Sequence, residues 1–198
     1  MPFKEVKQQV GNTDIYLLDQ ILKGRIKKDD LVLDTGCGGG RNLHLLIENN
    51  IKFIAFDPSK STIESLKGTF PNHKNSFRVS TIEDFQSEEK FNFIICNAVL
   101  HFAKNHRNFK EMFDSLVKFL DPKGILFIRM VSNIGIEDLT EELKDGVYKI
   151  PDGSTRYLLT KVMLKELLQE YKLEFVDPLK TVNVDDKRCM STLVLRKN

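Results

Sequence analysis

Two carboxylates each close a short apolar run: Asp34 after Leu31-Val32-Leu33, and Asp57 after Phe53-Ile54-Ala55-Phe56. Between them lies Thr35-Gly36-Cys37-Gly38-Gly39-Gly40, followed by an apolar stripe of Leu43, Leu46 and Ile47. A strand, a glycine loop and a helix in that order set backbone N–H groups and a helix N-terminus beside a ligand. The dinucleotide fingerprint Gly-x-Gly-x-x-Gly fails in both registers, because its third glycine would fall at Arg41 or at Leu43. Asp34 would repel a pyrophosphate and attract a cationic group such as an ammonium or sulfonium. Asp57 follows Gly36 by 21 residues, near the offset at which an acid meets a ribose diol. Its charge would strengthen both hydrogen bonds from such a diol.

The elements that must position these groups follow from periodicity. Ile15, Leu18, Ile21 and Leu22 predict an amphipathic helix over about residues 12–24, with Tyr16 on it. Phe77-Arg78-Val79-Ser80 reads as a third strand and Phe91-Asn92-Phe93-Ile94-Ile95-Cys96-Asn97 as a fourth, buried on both faces. Ser61 to Glu64 has the spacing of a capping box. Phe109, Met112, Phe113, Leu116, Val117 and Leu120 make the core stripe of a helix, and Ile125–Val131 reads as a fifth strand. Arg129 near its end needs a partner if buried. Residues 132–159 break the alternation and read as a lid inserted at the strand's carboxyl edge, with a short helix through Leu139 and Leu143. Thr160 is placed to cap a helix carrying Val162, Met163, Leu167 and Leu168, and Leu173–Val176 and Ser191–Leu195 read as a closing antiparallel pair.

Composition narrows the class. The chain has 198 residues, 29% charged and 41% apolar, consistent with one domain over 1–198. A net charge of +2 gives no bulk attraction for nucleic acid or an anionic membrane. No apolar stretch reaches membrane-span length. Three widely spaced cysteines and no signal-like N-terminus point to a reducing, cytoplasmic setting. His101, directly after the fourth strand, is the best-placed general base. His101 and His106 lack the companion ligands of a metal site, so no metal is expected.

Asp34-Thr35-Gly36-Cys37-Gly38-Gly39-Gly40, with Asp57 and the strand ending at Asn97, resembles the class I S-adenosylmethionine-dependent methyltransferases. Arg41-Asn42 and the short single-domain build resemble the tellurite-resistance type among them. The resemblance implies a doubly wound, Rossmann-like α/β fold with seven strands ordered 3-2-1-4-5-7-6, strand 7 antiparallel. It implies S-adenosyl-L-methionine as methyl donor and S-adenosyl-L-homocysteine as product. Asp34, Gly36, Cys37, Gly38, Gly40, Asp57, Pro58, Thr81, Ile82 and Asn97 then fall at donor-binding positions. Cys37 would offer its backbone carbonyl to the donor's ammonium. The chain departs from the family at Thr81, where an acid commonly meets the adenine amino group. Asn97-Ala98-Val99-Leu100 lacks the prolines and aromatic platform of nucleobase methyltransferases, which points to a small-molecule acceptor. Arg129, Arg156 and Tyr157 are the expected substrate residues, and a monomer or homodimer is the expected state. An NAD(P)-dependent oxidoreductase, a non-catalytic cofactor-binding module and an RNA methyltransferase are the competing readings.

Overall fold

The computed structural model describes residues 3–197. In chain order the helices are α1 (Phe3–Val10), α2 (Ile15–Leu22), α3 (His44–Glu48), α4 (Lys60–Thr69), α5 (His106–Phe119) and α6 (Lys161–Glu170). The strands are β1 (Leu31–Thr35), β2 (Lys52–Asp57), β3 (Phe77–Val79), β4 (Phe91–Asn97), β5 (Leu120–Ser132), β6 (Glu141–Lys144), β7 (Val147–Lys149), β8 (Thr155–Tyr157), β9 (Leu173–Val184) and β10 (Arg188–Lys197). Seven of them form one sheet in the order β3-β2-β1-β4-β5-β10-β9. The pairs from β3 to β5 are parallel, and β10 runs antiparallel to both β5 and β9.

Alternating residues of the strands feed opposite faces, and helices cover both. Val32, Phe93, Ile95 and Phe127 pack with Leu17, Leu46, Ile63 and Leu66 from α2, α3 and α4. Leu33, Ile94, Cys96 and Ile128 pack with Phe109, Met112, Phe113 and Leu116 of α5 and Leu164 and Leu167 of α6. No helix among the described residues is long and apolar enough to cross a membrane.

Several local expectations are corrected. The helix expected over about 12–24 is α2, and a further helix, α1, precedes it across a turn at Gly11 and Asn12. Helix α4 is capped by Ser59, whose hydroxyl accepts the Thr62 N–H, so Ser61 is inside the helix rather than its cap. The insertion holds a three-stranded antiparallel sheet, β6-β7-β8. Leu143 lies in β6, and only a single 3-10 turn, Glu137–Leu139, is helical. Asp121–Gly124 is a bulge inside β5, marked by a register shift against β4.

One contact group fixes α2 against the sheet. Asp177 of β9 accepts hydrogen bonds from Arg25 at 2.7 Å, Lys23 at 2.9 Å and Gln20 at 3.1 Å. The Arg25 bond leads the causes that hold the Asp177 carboxyl well below the usual carboxylate range. Hydrogen bonds to a charged acceptor contribute about 1.5–3 kcal/mol each at best. Asp177→Asn is therefore expected to lower unfolding free energy by about 1–3 kcal/mol at pH 7. A depressed carboxyl stabilises above its unfolded value of about 3.8 and loses that contribution as pH falls. Urea titrations should accordingly show a smaller gap between wild type and variant at pH 3 than at pH 7.

Candidate active site

The site forms at the carboxyl ends of β1, β2, β4 and β5. Register alone brings the two acids together: Asp34 of β1 pairs with Ala55, two residues before Asp57 on the adjacent parallel β2. The loop between them turns through left-handed backbone at Gly36, Gly38 and Gly40, with φ of +62°, +50° and +76°. A Cβ at Gly36 would come within 2.7 Å of the Val99 side chain, so both conformation and space call for glycine. At Gly38 a Cβ would meet nothing within 4 Å, so the loop is open on that side. The Cys37 N–H donates to the Phe56 carbonyl at 2.9 Å and ties the loop to β2. Asp57 holds the loop from below. It accepts the Gly38 N–H at 3.0 Å on one oxygen and the Ser59 N–H at 2.9 Å on the other.

The Cys37 carbonyl, expected to face a ligand's ammonium, accepts the Gly40 N–H at 2.9 Å, which closes the turn and leaves its second lone pair unused. Its thiol is buried, and burial pushes it far up, so it is inert.

Asp34 is 2% exposed, and its Oδ2 has no hydrogen-bond partner. Burial pushes its carboxyl up to about 7, with Asp57 adding to the rise and Arg41 opposing it. An uncompensated buried carboxylate is costly, so this oxygen is poised for a cation or a strong donor. Asn97, at the tip of β4, is also buried with both amide atoms unpartnered. The chain leaves it through Ala98, a non-glycine residue at φ +63°. Such strain costs on the order of 1 kcal/mol and clusters at functional sites.

A cavity of about 340 Å3 opens beside the loop, lined by Gly36, Pro58, Thr81, Ile82, Val99 and Phe102 among others. Pro58, Thr81 and Ile82 therefore line one cavity with Gly36. The Thr81 hydroxyl is committed locally, donating to the Asp84 carboxylate at 2.9 Å and accepting the Asp84 N–H at 3.2 Å. Glu83 is exposed at the rim and accepts from Asn108 at 2.7 Å.

The partner of Arg129 is Asp14, which caps α2. The Asp14 carboxylate takes Arg129 at 3.0 Å and Arg41 at 3.2 Å on one oxygen and the Tyr16 N–H at 3.0 Å on the other. Its own N–H donates to the Asn42 side chain at 3.2 Å. The Arg129 guanidinium also lies 4.8 Å from the Tyr16 ring centre. Asp14 thus fastens the start of α2 across the glycine loop, a role its position before an apolar stripe signals only as a cap.

His101 is buried behind the rim. The Val131 N–H meets its Nδ1 at 3.4 Å, which assigns the ring proton to Nε2. Burial, aided by the charges of Arg156 and Arg188, lowers its pKa to about 4. The ring is neutral at pH 7, with its accepting nitrogen turned inward. Arg156 lies over Phe102, 5.3 Å from the ring centre, at the cavity mouth. Tyr157, expected beside it at the substrate, is instead in the core. It stacks on Phe109 at 4.7 Å, and its hydroxyl meets His106 Nδ1 at 2.7 Å. Alternation along β8 sends neighbouring side chains to opposite faces, so Arg156 and Tyr157 cannot share one.

This strand order, with a glycine loop after β1 and an acid closing β2, defines the Rossmann-like methyltransferase class. A family model described as "Methyltransferase domain" matches residues 26–174, and the chain belongs to that family. The ubiquinone biosynthesis O-methyltransferase of Rickettsia bellii is 30% identical over 120 residues, covering 59% of this chain and 49% of that protein. The chain spans about half the length of the curated relatives it matches first. Among solved structures, an S-adenosylmethionine-dependent methyltransferase from Clostridium acetobutylicum has a TM-score of 0.70 at 14% identity, covering 97% of this chain and 92% of that one. TehB from Haemophilus influenzae, of the tellurite-resistance type, has a TM-score of 0.65 at 20% identity, covering 91% and 62%.

Proposed function

We propose that the chain binds S-adenosylmethionine at the β1–β2–β4 edge and transfers its methyl group to a small-molecule acceptor, with S-adenosylhomocysteine as the other product. The observation that carries this reading is the unpartnered, 2% exposed carboxylate of Asp34 next to an open glycine loop. A buried acid with one free oxygen suits an ammonium and opposes a phosphate. When bound, S-adenosylmethionine supplies a methyl group already activated by a sulfonium.

The residues then divide the work. Asp34 and the loop backbone hold the amino-acid end. Asp57, with lone pairs left beyond its two N–H bonds, takes the ribose hydroxyls. Pro58, Ile82 and the Thr81 backbone line the base end, and the Thr81 hydroxyl stays with Asp84. Asn97 faces the reacting end from β4. Alignment and exclusion of water are the protein's main contributions to such a displacement. Arg129 and Arg156 border the acceptor's space. The buried thiols fit a reducing, cytoplasmic compartment.

Calorimetry tests the reading directly. S-adenosylmethionine and S-adenosylhomocysteine are expected to bind, and NAD and NADPH are not. Tight nicotinamide binding with no heat from either sulfur compound would overturn it. Binding without consumption of the methyl donor in any metabolite mixture would favour a cofactor sensor on the same fold.

A further inference from the structure

We propose that the methyl acceptor is a carboxylic acid, bound as its carboxylate at the tips of β4 and β5, and that the product is its methyl ester. The proposal rests on the methyltransferase reading above and names its substrate class.

The argument starts from buried atoms without partners. Beyond Asp34, four of them lie at these two tips or just past them: both amide atoms of Asn97, Nε of Arg129 and Oδ1 of Asn133. Arg129 reaches Asp14 through its NH1 only, which leaves a buried cationic N–H facing no acceptor. Such a donor is costly unless a ligand satisfies it. Asn97 adds a second unpaired donor through Nδ2. His101 adds a third, because Val131 occupies Nδ1 and the proton sits on Nε2. Two further cations overlook the same edge. Arg156 lies across Phe102, and Arg188 precedes Cys189, which pairs with Ser132 at the end of β5.

The carboxylates at this edge other than Asp34, which the donor's ammonium takes, are already engaged, and the unpartnered Asn97 and Asn133 oxygens are amide acceptors too weakly basic to take a proton. Asp14 is shared by two guanidinium groups. Asp152 accepts the Ser154 N–H at 2.8 Å and lies 4.0 Å from Arg188. An alcohol, phenol or ammonium acceptor would find donors and cations here but no free base to take its proton. A carboxylate needs none. Its oxygen forms the O–CH3 bond as the methyl–sulfur bond breaks, and the bonding pair stays on sulfur. The negative charge of the acid and the positive charge of the sulfonium cancel, and no proton moves. Guanidinium and carboxylate match in geometry as well as charge.

The test incubates the full chain with S-adenosylmethionine labelled in the methyl group. The acceptors offered are acetate, malonate, succinate and benzoate, and in parallel a deproteinised cell extract. Methyl esters release labelled methanol in alkali, whereas ethers and methylamines do not. The expected result is alkali-released label. Arg156→Gln should lower kcat/KM for the acid about tenfold or more with donor affinity held within about twofold, and Arg129→Met, which also releases Asp14, should lower kcat/KM by more than it weakens the donor. Label stable to alkali overturns the proposal. So does label that never leaves the donor although the donor binds, or an Arg129→Met effect confined to donor affinity. Failure to bind the donor at all would instead overturn the methyltransferase reading.

Discussion

Asp57→Ala is expected to weaken S-adenosylmethionine binding by about 2–4 kcal/mol, roughly 30- to 1,000-fold in Kd. Two charge-assisted bonds to the ribose would be lost together. The structure adds a second cause, since the same carboxylate fixes the N–H groups of Gly38 and Ser59. Removing it frees the middle of the glycine loop and the entry to α4, so part of the loss is paid as disorder in the ligand-free site. Asp57→Asn keeps one accepting oxygen and should fall between wild type and alanine. Titration calorimetry with S-adenosylhomocysteine measures all three, and melting curves without ligand separate loop loosening from lost contacts. An alanine variant that binds as tightly as wild type would remove Asp57 from the ribose.

Donor binding is also expected to depend steeply on pH, because the Asp34 carboxyl is held near 7 by burial. Below that value the acid is protonated in the ligand-free protein and must ionise to meet a cation. Affinity should therefore rise about tenfold per pH unit below 7 and level off above it. One proton should leave per binding event near pH 6, read from calorimetry in buffers of different ionisation enthalpy. The folded protein without ligand holds this proton at pH values where the unfolded chain, with its value of 3.8, has lost it. Stability of the empty protein should thus decline as pH climbs from about 4 to 7. Asp34→Asn removes both dependences: it should be more stable than wild type at pH 8 without ligand, yet bind the donor weakly at every pH. A pH-independent Kd in the wild type would sink this role for Asp34.

The parts of the molecule legible in the sequence are those where one local rule decides. Strand β4 is apolar almost throughout because helices cover both its faces, and the buried stripe of α5 follows directly from helical spacing. The glycine loop and its two acids are legible because strand, turn and helix signals coincide there. What escaped depends on contacts distant in sequence or on surfaces with weak patterning. Helix α1 buries no residue, so its apolar positions carry no core signal. Glu141-Glu142-Leu143-Lys144 is exposed along its length, and its strand state comes from pairing with β7 rather than from alternation. Asp14 meets Arg129 across a separation of 115 residues, which no local pattern encodes. Tyr157 faces the core because a residue's face in a short strand follows from register, which the sequence alone does not encode.

The position of β10 has a consequence for how the molecule is made. It lies between β5 and β9, and its Leu193, Val194 and Leu195 are almost fully buried. Until these residues have left the ribosome, β5 ends the nascent sheet as an open, strongly apolar edge. Such edges recruit other strands. The growing chain accordingly carries this exposed edge from the emergence of β5 until β10 follows and closes it.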